Sequence, residues 1–193
     1  MALLRATTCG GVRPFDMMRI ALLFAFVPMI LASGCGGASD NASVHGTIGG
    51  KGFASAHAIS NSSSDAMSGS ALIAVSTVAN ECAQISSDAA AKTDVQALLI
   101  GLFEADGAGN TVAPAHTGDF TILATQTSGQ LASAFYEAVG PTLGDTAPVN
   151  ASDGKVTLTS FTGGHYVGSF DLTFGADQVT GTFDSDPCSN LRL

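Results

Sequence analysis

The side chains in this sequence that could do chemistry are few and widely spaced. Cysteine occurs as Cys9, Cys35, Cys82 and Cys188, and no two share the Cys-x-x-Cys spacing that polarises a thiolate for redox work. Histidine occurs as His45, His57, His116 and His165, without the His-x-His or His-Glu-x-x-His spacing that brings two imidazoles to one metal. A strand fold could still gather His45 and His57 across a first hairpin. Carboxylates cluster best in the glycine-rich stretch Glu104-Ala105-Asp106-Gly107-Ala108-Gly109-Asn110, and Asp184-Ser185-Asp186 adds a pair. Glu104, Asp106 and Asn110 space oxygen ligands as some calcium loops do. The Asp-x-Asp-x-Asp-Gly register and its distal Glu are missing, so a solvated hairpin turn is the expectation, with no metal and no other cofactor.

Catalytic signatures are equally thin. No Gly-x-Ser-x-Gly elbow is present, and serines are too common for any Ser/His/Asp trio to carry meaning. The Gly46–Gly52 stretch falls one residue short of a phosphate loop before its Gly-Lys and lacks the following Ser or Thr. With no Trp and only Tyr136 and Tyr166, an aromatic platform for sugar rings is lacking. No residue is assigned a catalytic role, and the chain is not expected to be an enzyme.

Cys35 differs because of what precedes it. Arg19 supplies a short positive region, and Ile20 to Leu31 is an apolar run of signal-peptide length, too short to span a bilayer and broken by Pro28. The small residues Ala32-Ser33-Gly34 then lead to Cys35. Leu31 to Cys35 resembles the lipobox of bacterial lipoproteins, with Ala32 where Leu is usual three residues before the cysteine. The resemblance implies that Cys35 is acylated and becomes the new N-terminus. It also implies a place in the cell envelope, held to the membrane by lipid. Gly36 rather than Asp after the cysteine implies the outer membrane. The rival is an ordinary signal peptide cut after Ala32 or Gly34. Cysteine arithmetic opposes it, because only Cys82 and Cys188 lie downstream and they can pair with each other. An oxidising periplasm favours that disulfide. Residues 1–17 look unlike a targeting segment and precede the better starts Met17 and Met18.

The expected organisation is therefore a signal peptide over 1–34, a lipidated Cys35 with a polar tether to 42, and one domain over 43–193. The whole chain carries a formal charge of −9. Discarding Arg5, Arg13, Arg19 and Asp16 leaves 15 acids against Lys51, Lys92, Lys155 and Arg192, a formal −11. Four cations cannot form a basic patch able to neutralise phosphates, which excludes nucleic acid as a partner. Electrostatic docking on anionic lipid is excluded for the same reason, so the covalent lipid must hold the protein to the membrane.

The elements that would position these groups read as strands. Ser43 to Ile48 and Phe53 to Ile59 flank a glycine-rich turn, Asn61 to Ser70 is a loop by composition, and Ala71 to Ser76 is an apolar strand. Asn80 can cap a short helical turn carrying Cys82. Val95 to Phe103 is apolar on both alternating faces, which predicts a strand buried on both sides. Phe120 to Ala124 and Leu131 to Val139 are further strands, the second also readable as a helix. The clearest alternation places Tyr166, Gly168, Phe170, Leu172 and Phe174 on one face, followed by Val179, Gly181 and Phe183 after the turn Gly175-Ala176-Asp177. With Lys155 to Phe161 these predict a three-stranded antiparallel meander. Gly168 and Gly181 on its core face predict bulges or close packing under an aromatic ring.

Short strands at regular spacing predict an all-β domain, an antiparallel β-sandwich first and a β-barrel as the alternative. The ending GSFDLTFGADQVTGTFDSDPC resembles uncharacterised bacterial lipoproteins whose domains close with a Gly-x-Phe strand and a cysteine. That resemblance covers about the last 60 residues and implies no activity. The functional expectation is a lipid-anchored, non-catalytic interaction or structural module whose partner is an envelope protein or a glycan. A ligand-binding module for glycan or calcium is the alternative, and a hydrolase stands third.

Overall fold

The computed structural model describes residues 40–53, 56–63, 69–85, 94–122, 128–140, 144 and 146–191. The signal peptide, Cys35 and the first part of the tether lie outside the described residues. Among those described, the chain forms eleven strands and one short helix. The strands are β1 (Ala42–Gly46), β2 (His57–Ser63), β3 (Ser70–Ser76), β4 (Val95–Asp106), β5 (Thr111–Val112) and β6 (Gly118–Ile122). They continue with β7 (Ser128–Val139), β8 (Val149–Asn150), β9 (Asp153–Thr162), β10 (His165–Phe174) and β11 (Asp177–Pro187). The helix, α1 (Glu81–Ile85), is the short turn expected beside Cys82.

Strand pairing runs β4-β3-β2-β11-β10-β9-β6-β7, and β7 pairs back onto β4, so eight strands close into a barrel. Of the two all-β expectations, the pairing therefore has the barrel rather than two stacked sheets. Two short parallel seams accomplish the closure. Asp186 and Pro187 of β11 pair with Ile59 and Ser60 of β2, and Thr121 and Ile122 of β6 pair with Leu131 and Ala132 of β7. The remaining pairs around the barrel are antiparallel. Closure satisfies backbone groups that a sheet edge would leave open. Alternating apolar and polar residues read the same in a sandwich and a barrel, so the deciding information lay in seams between strands distant in sequence.

Eight strands leave an interior that side chains can fill. Here Ile73, Leu98, Ile100, Leu102, Phe120, Leu158, Leu172 and Phe183 are fully buried in one continuous cluster. Large and small residues interlock across the meander. Phe183 lies opposite Gly168 and Phe170 opposite Gly181, and the chain has a bulge at Val167/Gly168. A Cβ at Gly168 would collide with the Phe183 ring, and one at Gly181 with the Phe170 ring and the Ser43 carbonyl.

The first hairpin is a correction. β1 does not fold back on β2; it pairs antiparallel with β11 from Val179 to Phe183, on the edge that β2 occupies further along. The glycine turn survives only as a bridge between Ile48 and Lys51 around Gly49 and Gly50, both at positive φ. β2 then begins at His57 and runs to Ser63, into the stretch expected to be loop. Ser60 is buried and bonded to Ser185 and the Gly164 carbonyl while Ser62 and Ser63 are exposed, so the strand is concealed in a polar composition.

β4 is apolar on both faces for the expected reason. Leu98, Ile100 and Leu102 point into the barrel, while Leu99 packs on a second, outer cluster of Ile59, Leu72, Ala74, Cys188 and Leu191. The Cys82–Cys188 disulfide, with a Cα separation of 5.7 Å, fastens α1 and the end of the chain over this outer cluster.

Candidate functional site

The outward faces of β2 and β3 meet beneath α1, and there the polar groups converge. His57 and Ser76 are directly opposed across the β2–β3 ladder. Opposed residues share a face, so both side chains stand outside the barrel. Asn80 precedes α1 with φ of 57°, a left-handed conformation that Asn tolerates better than most residues. Its carbonyl accepts the Ala83 and Gln84 amides, which aims Glu81 back at the wall. Ser76 Oγ donates to Glu81 Oε2 at 2.7 Å and accepts the Val78 amide at 3.2 Å.

From the other side comes the segment just before β1. Asp40 Oδ1 lies 3.3 Å from His57 Nε2. The Asn41 side chain behaves as a peptide unit: its Oδ1 accepts the Ala58 amide at 2.6 Å and its Nδ2 donates to the Ala58 carbonyl at 3.0 Å. The same Nδ2 reaches Asp186 Oδ2 at 3.2 Å, and the Asn41 carbonyl accepts the Asp184 amide at 2.9 Å. A pocket of about 250 Å³ lies between these groups, with Asn41, His57, Asn80, Glu81, Cys82 and Asp186 on its walls.

Glu81 is the electrostatic centre. Only 9% of its surface is exposed. Burial lifts its carboxyl above the ordinary carboxylate range, against the opposing pull of the Ser76 hydroxyl and the His57 charge. The His57 side chain is itself only 12% exposed. The arrangement gathers an imidazole and the carboxyl groups of Asp40, Glu81 and Asp186 around one pocket. It commits the Ser76 hydroxyl to two structural bonds, so that oxygen is not poised as a nucleophile.

The residues singled out from sequence sit elsewhere. Asp106 closes its own turn, accepting from the Ala108 amide and from the backbone and side-chain nitrogens of Asn110. The Asn110 bond foremost, then the Ala108 amide, hold Asp106 below the ordinary carboxylate range. Glu104 turns instead to the Ala115 and His116 amides, each at 3.0 Å, and to the His116 ring. Slight burial pushes its carboxyl up, but those three donors together hold it down. The three candidates Glu104, Asp106 and Asn110 are thus divided between two loops. His165 pairs with Asp184, while His45 is exposed on β1 opposite Thr180.

Sequence reasoning missed Asn41, Ser76 and Glu81. Asn41 reads as tether and Ser76 as the polar end of an apolar strand. The only local signal was Glu81 in the first turn of a helix that had to lie near the wall because Cys82 does.

Fold and site together define a packed, closed barrel with a cluster of acids and one imidazole on its outer wall. No known protein family, curated protein or solved structure matches the chain.

Proposed function

We propose that the chain is a lipid-anchored β-barrel protein of the bacterial cell envelope. It serves there as a non-catalytic interaction or structural module, held to the outer membrane through Cys35. The observation that carries this reading is the bond between Cys82 and Cys188, which uses both cysteines that follow Cys35 in the sequence. The bond also fits an oxidising compartment. The commitment of the Ser76 hydroxyl to Glu81 and the Val78 amide supports a non-catalytic role. A formal −11 on the chain from Cys35 onward supports a partner other than nucleic acid.

The pocket beside Glu81 favours a second reading, a module that binds a small polar ligand such as a glycan unit or a cation. The anchor separates neither reading from the other but carries the location of both. Replacing Cys35→Ser is expected to abolish labelling by a palmitate analogue and to move the protein out of the membrane fraction. Labelling that persists in the variant contradicts the anchor.

A further inference from the structure

The Asp40–Asn41 segment joins the domain to whatever precedes it, and its attachment is concentrated on two residues of β2. Asn41 takes both backbone groups of Ala58, and Asp40 takes the imidazole of His57, the residue before. Behind His57 stand Ser76 and Glu81, a carboxylate that responds to the imidazole charge. We propose that Asp40, His57 and Glu81 form a proton-sensitive clasp that fastens the start of the domain to the barrel wall when His57 is charged and loosens it when His57 is neutral.

The charged and titratable groups facing His57, among the described residues, come from three directions. Asp40 comes from the segment ahead of β1, Glu81 from α1, and Asp186 from β11, where Asn41 Nδ2 also binds it. Each is an acid. An imidazolium placed among them attracts whichever of them is ionised, and Asp40 meets its Nε2 directly. A neutral imidazole keeps one N–H and no charge, so it holds one acid and leaves Glu81 without that opposing charge.

Imidazole gains and loses its charge across the physiological pH range. The clasp is therefore closed in mild acid and relaxes toward alkaline pH. The bonds that Asn41 makes to the Ala58 and Asp184 amides report on it. In the lipid-anchored reading, four residues, 36–39, separate Cys35 from the clasp, so external acidity would set how firmly the barrel is held at its tethered end. The clasp itself does not depend on that reading.

Hydrogen exchange on the full chain, corrected for the intrinsic effect of pH, tests the clasp without reference to the lipid. Protection of the Ala58 and Asp184 amides should fall about tenfold between about pH 5.5 and 8, relative to the central β10 amides. His57→Gln should give low protection that no longer varies with pH. Asp40→Asn, at a half-exposed position outside the core, should shrink the fall and tests the same point if His57→Gln does not fold. Equal protection at both pH values, or the full fall retained in either variant, overturns the proposal.

Discussion

At the scale of single residues, Glu81 carries the clearest energetic consequence. The folded protein raises its carboxyl above the ordinary carboxylate value, chiefly by burial, so the fold binds that proton more tightly than the unfolded chain does. Its contribution to stability is whole below the ordinary carboxylate range and is lost as pH rises through the raised value. Glu81→Gln preserves an acceptor for the Ser76 hydroxyl and cannot ionise. Thermal melts should find the variant and the parent alike near pH 4. At pH 8 the variant should melt higher, because an ionised carboxylate no longer has to be buried there. A variant that melts below the parent at pH 8 would show that the Glu81 charge is stabilising where it stands.

At the scale of elements, the meander of β9, β10 and β11 is held by an interlock of ring and glycine. Phe170 lies over Gly181 and Phe183 over Gly168. Gly181→Ala places a methyl against the Phe170 ring and the Ser43 carbonyl on β1, with no flexible side-chain end to yield. The cost should be about 3 kcal/mol, at the upper end for overpacking, read as a drop in the urea midpoint. A loss under about 0.5 kcal/mol would mean that the rings do not sit as described. These strands were legible in the sequence because each alternates cleanly and is joined to the next by a glycine turn, so its pairing partner is its neighbour. The two glycines on the core face gave away the aromatic packing as well. β1 and β2 were not legible as they stand. A glycine-rich turn between two strand-like stretches reads as a hairpin, yet β1 finds its partner on β11, more than a hundred residues away. The candidate site failed to show for a related reason. Asn41, His57, Ser76 and Glu81 meet through strand register and a helix laid over the wall, with no spacing in the chain to announce them.

At the scale of the whole molecule, the barrel and the bridge depend on one another, and the proposed anchor is argued from the bridge. Core side chains fill the closed sheet, and its outer apolar cluster needs a cover. The bond from Cys82 to Cys188 supplies it across 106 residues, which by chain entropy alone contributes about 4–5 kcal/mol. Such a bond fits the proposed export of the chain, and it uses both cysteines after Cys35. Export, bridge and lipid are therefore readable together from one sample. Mass spectrometry of the unreduced protein, taken from membranes under alkylating conditions, is the most direct test. It should find a chain that begins at an acylated Cys35 and contains a linked Cys82–Cys188 peptide with no alkylated thiol. A chain beginning elsewhere, or Cys82 and Cys188 both carrying the alkylating label, would contradict the account.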